Sequence, residues 1–440
     1  MIKVKPSRLG WAAALPEHWD VVPLGYVAKM GTGHTPDRNK PEYWKECNIP
    51  WVTTTDVTRR PDSLDPLMDT EQKISALGMA NSAAVLHPAD TVMLSRTASV
   101  GYSVRIGQPM ATNQAFVTWL PGPRLDSRYL LLVLRTMKQE WQRLAYGSTH
   151  LTIYMPDLDS IRIPLPPLEE QRRIADFLDA ETAHLEALVS KRSRQIEGLA
   201  ERELALIVDM LSGGWKSGKR KPTGWPWLPK IPAEWSVGPV YAYFSTELGK
   251  MLNAERASGP DQRPYLRNAN VHWYTIETDD LATMDFSADE VSRYSARQGD
   301  LLVCEGGAGV AEAAVWDGRL QECYFQKSLH RVRRAGPVPV EWLMYWLRLA
   351  KACGVFEAEG NIATIPHLTG EQLRQYRIPI PIDGDSLVKR TGEEIARLTS
   401  VRTKLRQAQT LLAERRQALI TAAVTGQFDV STASGRGIEE

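Results

Sequence analysis

The segment LAERELALI at 199–207 returns as LAERRQALI at 412–420, 213 positions later. LPEHWDVVPLG (15–25) is echoed by IPAEWSVGPVY (231–241), and HPADTVMLSRTASVG (87–101) by ARQGDLLVCEGGAGV (296–310). YGSTHLTIYMPDLDSIRIPLP (146–166) is echoed by EGNIATIPHLTGEQLRQYRIPIP (359–381). The echoes keep their order, and their offsets cluster between 208 and 216. Such a period far exceeds the roughly 20–50 residues of a solenoid or propeller repeat, so it marks one module copied whole. Any fold for this chain must be built from two like halves.

Each module divides in two by composition. The first part mixes β-branched and aromatic runs with Gly, Pro and Asn breakers; NIPWVTTTDV (48–57) and DTVMLSRTA (90–98) predict strands. SRYLLLVLRTMKQEWQRLAY (127–146) and VEWLMYWLRLAKACGVF (340–356) predict amphipathic or buried helices. The expected fold class is α/β, a mixed α+β domain with long surface loops.

The second part has no breakers. From Glu169 to about Leu211 there is no proline and a single glycine, Gly198. Ile174, Leu178, Leu185, Leu188, Ile196, Leu199 and Leu206 form a narrow apolar stripe among charged residues. Ile395, Leu398, Leu405, Leu412, Leu419 and Ala423 form its counterpart, interrupted by Arg402, Gln409 and Arg416. So narrow a stripe must be buried against another helix. About 42 residues at ~1.5 Å each make a rod of ~63 Å, and the nearest matching stripe belongs to the other copy. Both rods follow a Pro-x-Pro step, in IRIPLPPLEEQRRIADFLD (161–179) and YRIPIPIDGDSLVKRTGEEI (376–395). The residue before proline is driven extended, so each globular domain ends straight and a new helix starts beyond it. SGGWKSGKRKPTGWPWLPKIP (212–232) must lead from the first rod into the second domain. The rods are therefore expected to pair antiparallel as a coiled coil, giving an internal pseudo-twofold.

Charge limits what such a protein does alone. Lys+Arg 53 against Asp+Glu 52 leaves +1, so nucleic-acid contact requires basic residues gathered locally or a partner that carries charge. Cys47, Cys304, Cys323 and Cys353 match no CxxC or zinc spacing and read as reduced thiols. The N-terminal stretch has no signal-peptide core and no run of ~18 apolar residues occurs, so a cytoplasmic protein without a membrane span is expected.

PEHW (16–19) with PAEW (232–235), GDLLVCEGG (299–307) with the weaker ADTVMLSRT (89–97), and NQAF (113–116) form an ordered set. With IPLPPLEEQRRIADFLD (163–179) and ERRQALITAAVTGQFDV (414–430), the set resembles the specificity subunits (HsdS) of type I restriction-modification systems. The resemblance spans nearly the whole chain and lapses at IDGDSLVKR (382–390), where the Pro-x-x-Glu-Glu-Gln of the first copy is gone. It implies target-recognition domains at 1–166 and 231–382, conserved spacer helices at 167–212 and 383–426, a linker at 213–230 and a C-terminal tail at 427–440. It also implies a subunit that reads a bipartite, asymmetric target on double-stranded DNA, one part per domain. The helices would act as a ruler and as the platform for two methyltransferase (HsdM) subunits that methylate adenine at N6. Restriction (HsdR) subunits would join through the complex. On this scheme the chain is not an enzyme and has no metal or cofactor of its own; S-adenosylmethionine, ATP and Mg belong to the partners. The sequence holds no Asn/Asp-Pro-Pro-Tyr for adenine methylation and no GxxxxGK[ST] for ATP.

Reading bases takes Arg, Lys, Asn, Gln and hydroxyl side chains on elements flanked by phosphate contacts. In the first module the candidate DNA-binding residues are Lys29, Thr32, Arg59, Arg60, Arg96, Thr97, Ser99, Tyr102 and His150. In the second they are Lys250, Asn253, Arg267, Asn270, Lys327, Arg331, Asn361 and Thr364. Ordinary surface polarity is the plain alternative for any one of them; repetition at matching places lifts the sets. Arg96 and Glu305 hold the same place after the Asp90 and Asp300 strands. An Arg donates twice to guanine and a Glu accepts from cytosine, so the modules are expected to read different sequences. Trp19, Trp119, Trp235, Trp342 and Trp346 sit in apolar runs and are expected in the core rather than as stacking platforms. Trp215, Trp225 and Trp227 lie in the linker and are expected to fold back on a neighbouring surface.

Two other classes compete: a coiled-coil adaptor with duplicated protein-binding domains, and a metal-dependent nuclease. The nuclease reading rests on Pro61-Asp62 followed by Glu71-Gln72-Lys73. Against it, Asp69 is expected to cap a short helix that sets Glu71 and Lys73 about 200° apart.

Overall fold

A computed structural model describes residues 3–148, 150–252, 257–358 and 367–430, with 357 and 358 described by their backbone alone. Asn253, Asn361, Thr364 and the 431–440 tail lie outside the described residues. The chain divides into two units, 1–192 with 407–440, and 193–406. Each holds one globular domain and part of each long helix.

In the first unit a four-stranded antiparallel sheet runs in the order Ala28–Thr32, Phe116–Pro121, Val92–Ser95, Ser103–Arg105. Strand alternation divides its residues between two cores. Val92, Leu94, Val117 and Trp119 pack on one face with helix Ser127–Thr136, while Met93, Val104 and Phe116 pack on the other with Val52, Val57 and Leu67. With both faces covered, Val92–Ser95 is buried at every position. A smaller sheet, Lys73–Ile74, Ile49–Val52, Ala111–Thr112, has its last pair parallel.

Two local expectations change. Only Ile49–Val52 of the 48–57 run is a strand. The Asp56 carboxylate accepts from both the Thr53 N–H (2.8 Å) and the Thr53 hydroxyl (2.7 Å), and this cap starts helix Thr54–Thr58 despite its β-branched residues. The helix expected over 127–146 is two, Ser127–Thr136 and Lys138–Leu144, separated at Met137 by a ψ of 23°.

The second unit repeats the plan. Its four-stranded sheet runs Phe244–Leu248, Leu329–Arg334, Leu301–Cys304, Ala313–Val315, and its three-stranded sheet runs Ala282–Asp285, Gln262–Leu266, Tyr324–Phe325, again with the last pair parallel. Helix Val340–Ala352 takes the place of Ser127–Thr136. Trp342 Nε1 donates to the Pro379 carbonyl (2.8 Å), as the Tyr129 hydroxyl does to the Pro164 carbonyl (3.2 Å) in the first unit. Trp19, Trp119, Trp235, Trp342 and Trp346 are at most 1% exposed.

The 213–230 stretch is more than a linker. Arg220–Trp225 pairs with Leu228–Pro232 as a hairpin, in the same register as Val4–Leu9 with Ala12–Pro16 at the start of the chain. The Thr223 hydroxyl donates to the Leu228 carbonyl as the Ser7 hydroxyl donates to Ala12, and Gly224 and Arg8 both take positive φ, 88° and 62°. Trp225 and Trp227 stack at 5.5 Å, and Trp227 meets the edge of Trp346 at 5.8 Å. Trp215 lies 6.3 Å from Trp235, with the Arg390 guanidinium 4.9 Å from its ring.

The long helices are Leu168–Ser212 and Gly384–Val424. In the first unit Ile174, Ala175 and Leu178 share a core with Ile420, Ala423 and Val424. Further along, Glu186 lies 3.4 Å from Arg416, and the Val189 carbonyl accepts from Gln409 (3.3 Å). Numbers rise on one helix as they fall on the other, so the pairing is antiparallel. In the second unit Ile207, Met210 and Leu211 share a core with Leu387, Val388 and Ile395. Leu178, Leu185 and Ile395 are buried; Leu188, Leu199, Leu206, Leu398, Leu405, Leu412 and Leu419 are half-buried. Among the described residues no helix is long and apolar enough to cross a membrane.

Candidate nucleic-acid interface

At one end of the first unit's large sheet, Thr32, Phe116 and Ser95 lie on neighbouring strands. The chain leaves Ser95 into a turn over 96–102 that needs positive φ at Ala98 (61°) and Gly101 (91°). Thr97 bridges to Thr152 and the Ala98 N–H donates to the Leu151 carbonyl (2.9 Å), so the 146–152 segment is tied alongside. This gathers Thr32, Arg96, Thr97, Ser99, Tyr102 and His150 at one sheet edge. Tyr102 and His150 are exposed, and Thr97 and Ser99 half-buried.

Arg96 is less available than its type suggests. Its Nε donates to the Gln114 carbonyl (3.1 Å) and its Nη1 to the Ile153 carbonyl (3.2 Å), so it fastens the loop ends together. The Thr32 hydroxyl likewise donates to the Phe116 carbonyl (2.8 Å). Lys29, opposite Leu120, sits towards the other end of its strand and is exposed. Arg59 and Arg60 follow helix Thr54–Thr58: Arg59 pairs with Glu71 (2.6 Å) and Arg60 donates to the Ser63 hydroxyl (3.0 Å).

The second unit builds the same edge. The Glu305 N–H donates to the Ser328 carbonyl and its carbonyl accepts from the Leu368 N–H, just as the Arg96 N–H donates to Ala115 and its carbonyl accepts from Ile153. The matching of Arg96 to Glu305 is thus structural as well as sequential. Three candidates here have other duties. Lys250 is 2% exposed, with its ammonium 2.5 Å from Glu290, bonded to the Asp285 carbonyl and 4.9 Å from the Phe286 ring. Burial alone would raise the Glu290 carboxyl, but Lys250 and Ser287 overcome it and hold the group below its usual range. Asn270, 3% exposed, accepts from the Arg267 N–H (3.1 Å) and donates to the Asp280 carbonyl (3.2 Å), capping a single turn. Arg331, 8% exposed, donates to the carbonyls of Arg293 (2.6 Å) and Ser295 (2.9 Å); burial first and Arg333 next push it down to about 10. All three were exposed-looking polar residues beside strands, and burial reassigns them to holding the fold. Arg267 is half-buried and pairs with Asp280 (3.1 Å), while Lys327 is exposed.

Asn268, in the polar run RNANVHW (267–273), also belongs to this edge. Its Nδ2 donates to the Gly306 carbonyl (2.8 Å), and its Oδ1 has no partner among the described residues. Gly306 bridges to His367, so close that a Cβ at 306 would stand 2.4 Å from the His367 ring. Gly306 is thus a close-approach point between two loops of this edge, while Gly307 takes the positive φ (78°) of the turn.

The nuclease pattern is dispersed. Asp62 pairs with Arg416 (3.2 Å), Glu71 with Arg59 and Lys73 with Asp69 (3.1 Å). The helix expected after Asp69 is absent: Lys73–Ile74 is a strand and the following helix, Ala76–Ala80, is capped by Ser75. Glu71 and Lys73 are thus engaged in separate ion pairs, with Arg59 and Asp69.

Residues 16–198 match the family described as the type I restriction modification DNA specificity domain. The chain is 26% identical over 267 residues to the MjaIX specificity subunit of Methanocaldococcus jannaschii, covering 60% of this chain and 58% of the relative. It is 27% identical over 195 residues to the EcoR124I/EcoR124II specificity subunit of Escherichia coli, covering 43% and 46%. The chain thus spans about half the length of the curated relatives it matches. In fold it is similar to a chain solved for the complex assembly and conformational transition of the type I R-M system, with TM-score 0.69 and 17% identity over 94% of this chain and 99% of that one. It is also similar to the HsdS subunit from Thermoanaerobacter tengcongensis, with TM-score 0.50 and 17% identity over 94% and 98%.

Proposed function

We infer, for a chain that belongs to the type I restriction-modification DNA specificity family, that each globular domain reads one segment of a two-part target on double-stranded DNA. One observation carries this reading. Both units raise the same loop at the same sheet edge, fastened by equivalent backbone bonds, with Arg96 in one and Glu305 in the other. A scaffold kept while the side chain at its loop changes from a guanidinium to a carboxylate is what two readers of different sequences require. In the first unit Thr97, Ser99, Tyr102 and His150 supply groove contacts, with Lys29, Arg59 and Arg60 on phosphates and Arg96 and Thr32 positioning the loop. In the second, Lys327 and Arg267 act with Asn253, Asn361 and Thr364.

The chain itself carries no catalytic step on this reading. Two methyltransferase subunits dock on the paired helices, bind S-adenosylmethionine and take the flipped adenine into their own pocket. Restriction subunits join through the complex and bring ATP and Mg, in the cytoplasm where the DNA is. The test is co-expression with a methyltransferase subunit encoded beside it, followed by mapping of N6-methyladenine. A motif of two fixed segments separated by an unread spacer is expected. A contiguous motif, or methylation without sequence preference, would overturn the reading.

A further inference from the structure

The two units write one buried crossing with opposite charges. In the second, Glu203, 1% exposed, accepts from Arg402 of the other long helix (2.6 Å), from Arg348 (2.9 Å) and from the Tyr274 hydroxyl (2.8 Å). Three donors meet one carboxylate. The repeat places Arg416 at the position of Glu203, and Arg135 at that of Arg348. In the first unit, therefore, two guanidiniums stand where the second has a guanidinium and a carboxylate. Arg416 is met by Asp62 (3.2 Å) and Glu186 (3.4 Å). Among the described residues Arg135 is met only by main-chain oxygens, its Nη2 donating to Ser63 (2.7 Å) and Ser103 (3.1 Å). Its Nε and Nη1 have no partner among the described residues. Burial, and after it Arg416, pushes this guanidinium down to about 10. Next to it opens a cavity of about 390 Å³ lined by three cations, Arg135, Arg416 and Lys138, one carboxylate, Asp62, and the rings and side chains of Tyr102, Trp141 and Ile420.

We propose that this cavity binds a phosphate oxyanion, which supplies to Arg135 the oxygens that Glu203 supplies to Arg348 in the second unit, beside an Arg416 already paired with Asp62 and Glu186. Two oxygens of a tetrahedral phosphate suit the same fork of donors as a carboxylate. Lys138 adds a third cation, and the Trp141 and Ile420 walls limit water, which strengthens the attraction. Phosphate has two sources, free in solution or as a diester in a nucleic-acid backbone. The 98–103 loop forms one wall and also carries Ser99 and Tyr102.

The intact protein is titrated with inorganic phosphate against chloride at constant ionic strength, read by calorimetry and by melting temperature. Saturable binding with a rise in Tm is expected. Arg135→Met weakens it at least about tenfold, and Arg135→Lys weakens it less. Arg143→Met, at an exposed arginine paired with Glu140 outside the cavity, leaves it unchanged. Should Arg135→Met fail to fold, Lys138→Met, at the exposed cation of the lining, carries the test and also weakens binding. A short duplex forms the second arm. If the source is the nucleic-acid backbone, phosphate competes with duplex and Lys138→Met lowers the salt slope of duplex binding by about one; if it is free phosphate, duplex affinity is the same with and without it. A phosphate effect no larger than that of chloride, or equal affinity in the wild type and the cavity variants, overturns the proposal. Neither result touches the two-segment methylation motif, so the proposal and the DNA-reading function fail separately.

Discussion

Lys29 and Lys250 each follow into or out of the first strand of their module's large sheet, yet one is exposed and the other is enclosed by Glu290, the Asp285 carbonyl and the Phe286 ring. Residue type and spacing locate such a side chain in or just past its strand but carry nothing about what later elements lay over it; Glu290 of helix Ala288–Tyr294 is what meets Lys250. The same holds for Asn270 and Arg331. Lys250→Met is expected to cost about 1–3 kcal/mol in urea unfolding, because Glu290 loses its charged partner, while base preference of the folded protein stays as it was. The buried Glu203 carries a pH signature. Burial raises its carboxyl, but the Tyr274 hydroxyl, Arg348 and Arg402 outweigh burial and hold it below its ordinary 4.5. The unfolded chain therefore takes up the proton first as pH falls. The contribution of Glu203 is complete above about pH 4.5 and is lost as pH drops through the native value. Between pH 7 and pH 4 the wild type should lose more unfolding free energy than Glu203→Gln, and equal losses in the two would show that the carboxylate is not held as described.

Among the elements, the long helices were the most legible. A stretch of over 40 residues without proline and with one glycine has few alternatives, and the structure has single helices at Leu168–Ser212 and Gly384–Val424. The polar interruptions at Arg402 and Arg416 were visible but not their meaning; both are ion-pair positions facing Glu203 and Glu186. The hairpins were illegible because Pro, Gly and Lys in KPTGWPWLPK look like linker chemistry, and pairing to Leu228–Pro232 depends on a fold-back that local composition does not show. Each long helix ends on a glycine in the left-handed region, Gly213 (φ 61°) and Gly426 (φ 66°), tucked against Pro232 and Trp235 in one case and Pro16 and Trp19 in the other. Gly426→Ala should cost about 1–3 kcal/mol, since a Cβ meets both the backbone strain and the Pro16 ring; a stability equal to wild type by thermal unfolding would exclude this cap. Inserting seven residues into one long helix alone should lower the melting temperature by breaking one of the two ion-pair crossings. A matched insertion in both restores pairing and lengthens each helix by ~10 Å. If the helices set the target spacer, the methylated motif then gains about three base pairs at ~3.4 Å each.

For the whole molecule, the duplication made the architecture readable before any element was certain, since two copies of a weak pattern constrain one another. Where one module ends and the next begins was less readable, and this decides how specificity can be exchanged. Leu228 and Ile231 of the second hairpin belong to the same core as Trp235, Trp342 and Trp346. A graft beginning at 231 would leave half of that hairpin from one protein against the core of another. A graft of 220–381 from a related subunit carries the hairpin with its core and meets the recipient at residues of the long helices such as Ile207, Met210, Leu387 and Val388, and at Gly213, Trp215 and Lys216 just before the hairpin. Because each domain packs around clusters of its own, the expected result is a methylated motif with one segment replaced and the other unchanged. The same graft started at 231 should express less soluble protein and melt lower. Replacement of both segments, or of neither, in an active complex would show that recognition is shared across the modules and not divided between them.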